Sequence, residues 1–184
     1  MGIKQTLDVL NDMERDGVFE RYAIAGAVAA YNYIEPTVTE DLDIFISFRP
    51  AAGSGLVSLA PITADLAKRG FKEFKKEGIV VAGWPVQFLP VADALDAEAL
   101  EQAETVDVKA NGGHVRARIV RPEHLVAISL RVGRAKDRTR IVQFLEENAV
   151  SLKKLGSVIS RHKLAVAWRS FCVKTGIRDP LGAK

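Results

Sequence analysis

The chain predicts an α+β fold: a mixed β-sheet backed by helices, followed by a helical C-terminal part. Three observations carry this expectation. Apolar residues recur at helical spacing in residues 4–16. Short apolar runs, punctuated by glycine and proline, follow up to residue 120. From Pro122 onward the pattern is helical again. The boundary falls near Val120-Arg121-Pro122. It gives a sheet part of residues 1–120 and a helical part of residues 121–184, as two domains or as one. With 184 residues the chain can bury a sizeable core.

The elements follow in order. Leu7, Leu10 and Met13 share one helical face, and Gly17 is a stop signal. Tyr22-Ala23-Ile24-Ala25 reads as a short buried strand ended by Gly26. The alanine-rich stretch 27–33 reads as a short helix broken at Glu35-Pro36, and residues 37–48 carry the next strand. Residues 50–55, with Gly53-Ser54-Gly55, read as a loop. Pro61 fits the first turn of a helix running to Arg69. Residues 71–74, 79–82 and 85–89 are short strand candidates, and 93–104 an acidic helix. Asn111-Gly112-Gly113 tolerates positive φ and predicts a hairpin between 105–109 and 114–120. Helices are expected from Pro122 to Val132, over 137–148, and over 152–174 as two pieces broken near Gly156.

Composition excludes several classes. No apolar run is long enough to span a bilayer, so a membrane partner is not expected. The first residues lack the apolar core of a secretory signal, which makes the cytoplasm the expected location. The single Cys172 rules out an internal disulfide and a multi-cysteine zinc site. Charge is uneven. Residues 1–113 hold 10 Lys/Arg and 18 Asp/Glu, and residues 114–184 hold 16 and 5, for nets of −8 and +11. This fits a polyanionic ligand near the second half, or two halves that neutralise each other on one surface.

The most informative stretch is Thr39-Glu40-Asp41-Leu42-Asp43-Ile44-Phe45-Ile46. In a strand, Asp41 and Asp43 would share one face with Cα atoms roughly 6–7 Å apart. Two carboxylates that close repel unless a cation or proton joins them. Mg²⁺, with Mn²⁺ as a variant, takes such oxygen ligands together with substrate phosphates. Thr37 and Thr39 are placed to hydrogen-bond near the carboxylates, although a strand threonine needs no function. Gly26, after a strand and before a helix, would let a phosphate approach free backbone N–H groups.

Strand, glycine turn, short helix and a strand bearing D-x-D together resemble the nucleotidyltransferase superfamily of polymerase-beta type. The resemblance implies that Gly26 and Ala27 seat a nucleoside triphosphate. It also implies that Asp41 and Asp43 hold the metal and carry catalysis, with Thr39 beside them. A second segment, Arg121-Pro122-Glu123-His124-Leu125-Val126-Ala127-Ile128 followed by Gly133-Arg134-Ala135-Lys136-Asp137-Arg138, resembles bacterial small nucleotidyltransferase-like proteins. These include the type IV toxins of abortive-infection systems. That likeness implies Arg134 and Lys136 as phosphate-neutralising cations and an antitoxin as a partner; the acceptor could be RNA, a protein hydroxyl or a small molecule. The alternative for these cations is a solvated basic face with Asp137 paired to a neighbouring arginine.

The chain departs from the family pattern at several places. Gly26-Ala27 stands where Gly-Gly or Gly-Ser is usual. Gln87 stands where the third carboxylate is expected, and an amide cannot take up a proton at neutral pH. Ser129 replaces a usual lysine and Arg140 an acidic residue. Catalysis, nucleotide or RNA binding without turnover, and a toxin's activity are therefore all compatible with the sequence. Glu40, Glu73 and Asp107 read as surface residues, His114, His124 and His162 have no metal-ligand spacing, and Trp84 and Trp168 read as core or interface aromatics. The basic tail (Lys153, Lys154, Arg161, Lys163, Arg169, Lys174) reads as an RNA-contacting or a solvated helical face.

Overall fold

The computed structural model describes residues 2–48, 58–110 and 113–182. The expected Gly53-Ser54-Gly55 loop and the Asn111-Gly112 tip of the hairpin lie outside the described residues. The chain divides into two compact units. One comprises Met1–Ala29 and Thr37–Val120, the other Ala30–Pro36 and Arg121–Lys184.

The first unit is built on a mixed seven-stranded sheet. Its strands are β1 (Arg21–Ile24), β2 (Leu42–Ser47), β3 (Phe74–Lys75), β4 (Gly78–Val81), β5 (Trp84–Pro90), β6 (Glu104–Ala110) and β7 (Gly113–Ile119), in the order β3-β4-β5-β2-β1-β7-β6. β2–β5 and β1–β7 are parallel, and the other pairs are antiparallel. The fold class is α+β, with helices on both sides of the sheet. The chain forms α1 (Ile3–Arg15), α2 (Gly26–Ala30), α3 (Ala60–Lys68) and α4 (Ala94–Glu101) in its first 120 residues.

The helical period seen in the first segment has a direct consequence. Leu7, Leu10 and Met13 of α1 are fully buried, and α1 packs on β7, β6 and β1. Each such side chain contributes about 1.5–3 kcal/mol by leaving water. Tyr22 also faces α1, and its hydroxyl donates to Asn11 Oδ1 at 2.6 Å. In β2, Leu42, Ile44 and Ile46 are fully buried on the face that β1 pairing shares with Tyr22 and Ile24. Asp43 and Phe45 point to the other face. α4 begins at Asp93, whose carboxylate accepts from the N–H groups of Leu95 and Asp96 at 2.9 and 3.0 Å.

The second unit holds α5 (Pro122–Val132), α6 (Ala135–Glu146), α7 (Leu152–Arg161) and α8 (Ala165–Thr175). α5 packs against the other three, which explains its nearly continuous burial from Glu123 to Ala127. Glu123 Oε1 accepts from Ser151 N at 3.0 Å and so ties the start of α5 to the start of α7. Among the described residues no helix is long and apolar enough to cross a membrane.

Two element expectations are corrected. The strand expected over 37–48 begins only at Leu42, which leaves Asp41 just outside it. The expected break near Gly156 does not occur. Gly156 lies inside α7, and the turn is made at His162–Leu164, where Lys163 adopts φ 57°.

Candidate functional site

The site grows from the ends of two neighbouring strands. β1 and β2 pair with Ile24 opposite Ile44, and Ala25 N donates to Asp43 O at 2.8 Å. One residue later the chain leaves the sheet. Gly26 has φ +58°, which L side chains rarely adopt. It also lies directly beneath Asp43, because a Cβ added at Gly26 would overlap the Asp43 carboxylate. The glycine turn and one carboxylate of the D-x-D are therefore in contact. Gly26, Ala27 and Asp43 are all partly exposed.

Asp41 is held differently. Because it precedes β2, the pleat does not orient it. Thr39 does so instead: its hydroxyl donates to Asp41 Oδ1 at 3.0 Å, with a longer 3.4 Å contact to the Asp41 carbonyl oxygen. The two carboxylates thus have separate supports, a strand position for Asp43 and a threonine hydroxyl for Asp41.

The parallel β2–β5 ladder sets Gln87 level with Asp43, and partners across a ladder project to the same face. Gln87 Nε2 donates to Glu77 Oε2 at 2.9 Å. Glu77 lies in the turn between β3 and β4, where Lys75 pairs with Gly78. No local signal distinguishes Glu77 within the charged run Lys72-Glu73-Phe74-Lys75-Lys76-Glu77; only the pairing of β3, β4 and β5 brings it to Gln87.

Asp41, Gln87 and Glu77 line one cavity of about 170 Å³ together with Glu40, Lys75, Lys76, Gly78 and Pro85. Lys76 Nζ donates to Glu40 Oε2 at 2.6 Å across this surface. That contact holds the Glu40 carboxyl below its usual range and the Lys76 ammonium above its own. Both groups are well exposed, so the pair adds little to stability.

The donor set is suited to a hard cation. Asp41 and Asp43 offer carboxylate oxygens only, and Mg²⁺ commonly takes one or two carboxylates and completes its shell with water and phosphate oxygens. Among the described residues, no group of three or more His, Cys, Asp or Glu side chains is placed to hold a metal ion. Asp41 and Asp43 would offer such an ion at most two protein carboxylates, and water and substrate oxygens would have to complete its shell.

Arg134 and Lys136 belong to the second unit and are exposed. Arg134 is the N-cap of α6. Its Nε donates to Asp137 Oδ2 at 2.7 Å, and the same oxygen accepts from Arg134 N at 3.1 Å. Asp137 is almost fully buried and closes the first turn of the helix. The local Arg–Asp pairing is thus present. Among the other residues, Glu40 is paired with Lys76, Asp107 with His114 at 3.0 Å, and Trp168 and Cys172 are buried.

No protein-family model and no curated protein matches this sequence. Among solved structures, the chain is similar to the crystal structure of an antigenic nucleotidyltransferase-like protein from Paracoccidioides brasiliensis. The TM-score is 0.51 at 15% sequence identity, covering 96% of this chain and 91% of that chain. The likeness is one of fold: the two chains share an architecture.

Proposed function

We propose that this chain is a Mg²⁺-dependent nucleotidyltransferase that moves a nucleotidyl group from a nucleoside triphosphate to a hydroxyl-bearing acceptor. The observation that carries this reading is the contact between Gly26 and the Asp43 carboxylate at the shared end of β1 and β2. Asp41 and Asp43 would hold Mg²⁺, or Mn²⁺ in its place. The ion, when bound, offsets charge on the triphosphate and on the departing pyrophosphate. The backbone N–H groups at Gly26 and Ala27 would receive phosphate oxygens. α2 is only five residues long, so individual N–H groups matter there more than a helix dipole. RNA would be the acceptor that the excess of cations in residues 114–184 favours, with a protein hydroxyl or a small molecule as the other candidates.

The direct test is isothermal titration with each nucleoside triphosphate in the presence and absence of Mg²⁺. Metal-dependent binding that disappears in Asp41→Asn and Asp43→Asn is expected. No binding at millimolar ligand, or equal binding in both variants, would sink the reading.

A second reading is favoured by Gln87: a module that binds nucleotide or RNA without turnover. It predicts metal-dependent binding with no transfer of label from any α-³²P-labelled triphosphate. A third rests on the Arg121–Ile128 and Gly133–Arg138 segments, whose likeness to abortive-infection toxins predicts growth arrest on expression, relieved by an antitoxin. Harmless overexpression would count against it.

A further inference from the structure

The amide of Gln87 stands beside Asp43, where the proposed transferase reaction needs a group to take the acceptor's proton. An amide cannot do this at neutral pH. The structure provides a carboxylate one hydrogen bond away. We infer that Glu77 is the proton-accepting carboxylate of this site and that Gln87 is the residue that positions it; the inference rests on the transferase reading above.

Three features carry it. Gln87 Nε2 donates to Glu77 Oε2 at 2.9 Å, which fixes one carboxylate oxygen and leaves Oε1 with its lone pairs available. Glu77 is exposed and lines the same cavity as Asp41, so an acceptor can reach it from solvent. The turn that presents it is not built for stability. Lys75 pairs with Gly78, which leaves Lys76-Glu77 as a two-residue hairpin loop, and Lys76 has φ +55°. Glycine is the favoured residue at such a position. Lys76 instead holds the left-handed backbone that L side chains rarely adopt.

In the step this assigns, the acceptor hydroxyl gives its proton to Glu77 Oε1. The hydroxyl oxygen forms a bond to the α-phosphorus of the triphosphate. The bond from that phosphorus to the α,β-bridging oxygen breaks, and its electron pair leaves with pyrophosphate. The proton on Glu77 then passes to water.

The experiment measures two quantities on the full chain: MgNTP affinity by titration calorimetry, and label transfer from each α-³²P-labelled triphosphate to total bacterial RNA and to the protein itself. Glu77→Gln keeps an acceptor for the Gln87 amide, so the fold and the brace survive. It is expected to bind MgNTP within about twofold of wild type while transfer falls about 100-fold, the usual size of a general-base contribution. The exchange variant Glu77→Gln/Gln87→Glu restores one carboxylate and one amide in reversed places, and is expected to recover transfer to within about tenfold of wild type. Glu77→Gln transferring at the wild-type rate would overturn the inference and leave the transferase reading intact. The exchange variant remaining as slow as Glu77→Gln would also overturn it. Wild-type protein that binds no MgNTP, or transfers to neither probe, would overturn both together.

Discussion

Gln87 and Asp43 lie side by side on adjacent parallel strands, level in register and on the same face of the sheet. The pairing has an electrostatic meaning. Two carboxylates about 5 Å apart repel by on the order of 3 kcal/mol at an effective dielectric near 20. A neutral amide beside Asp43 removes that repulsion.

The contact between Gly26 and Asp43 predicts the outcome of Gly26→Ala. The left-handed backbone alone should cost about 1–2 kcal/mol in urea unfolding. The new methyl must also displace the Asp43 carboxylate. MgNTP binding is therefore expected to fall further than stability does, which parallel urea and calorimetric titrations will show.

Thr39 supports Asp41 through one hydroxyl. Thr39→Val keeps the shape and removes the donor. MgNTP affinity is expected to drop about 3–10-fold, matching a hydrogen bond worth ~0.5–1.5 kcal/mol. Stability should change by less than about 0.5 kcal/mol, because Thr39 is outside the core. Unaltered affinity would mean that Asp41 needs no such support.

Asp137 carries more weight than the exposed arginine that caps it. Its buried carboxylate accepts from both the backbone and the side chain of Arg134. Asp137→Ala should lower stability by about 1–3 kcal/mol through lost capping and unpaired donors. The expected signature is a lower urea midpoint with an unchanged slope.

Acid should loosen the end of the second unit. Asp179 Oδ1 accepts from Trp168 Nε1 at 2.7 Å and from Leu181 N at 2.9 Å. The Trp168 hydrogen bond is the main cause that holds the Asp179 carboxyl below its ordinary range. A folded-state value below the unfolded one, near 3.9, means that the unfolded chain binds the proton first as pH falls. This contribution to stability is thus complete above about pH 5 and is lost as pH falls through 4 and below. Trp168 emission, followed in a Trp84→Phe background, should report that loss. Asp179→Asn, which keeps an acceptor but does not titrate, should abolish this component.

Local chemistry explains which parts could be read from sequence. The Leu7–Leu10–Met13 stripe, the glycine after Ile24, the proline opening α5 and the strands around Asn111 are each signalled within a few residues, and each element formed. Two boundaries were misplaced because tertiary context overrode local preference. Asp41 reads as a strand residue by alternation, yet pairing with β5 begins only at Leu42 and pairing with β1 only at Ile44. Gly156 reads as a helix breaker, yet Leu155, Val158 and Ile159 bury one face of an uninterrupted α7, and the turn falls on Lys163, whose side chain gives no hint of positive φ. At the candidate site, Gly26 and Asp43 are linked in the sequence only through the family resemblance; their contact appears in the structure. The Gln87–Glu77 bond is not foreshadowed at all, because it depends on a strand order that no local pattern encodes.

Residues 30–36 group with the C-terminal helices although residues on both sides of them group with the sheet. Within that second unit, Gln143 Nε2 donates to Glu35 O at 3.0 Å, Glu35 N donates to Glu147 at 3.0 Å, and Ile34 is buried. The backbone therefore crosses between the two units three times. No single cut separates them into intact halves. A fragment ending at Val120 carries a seven-residue segment without its helices, and one starting at Arg121 lacks the piece that Gln143 and Glu147 hold. The two units are stitched by their own chain, so their folding is expected to be mutually dependent, with neither piece reaching its full stability alone.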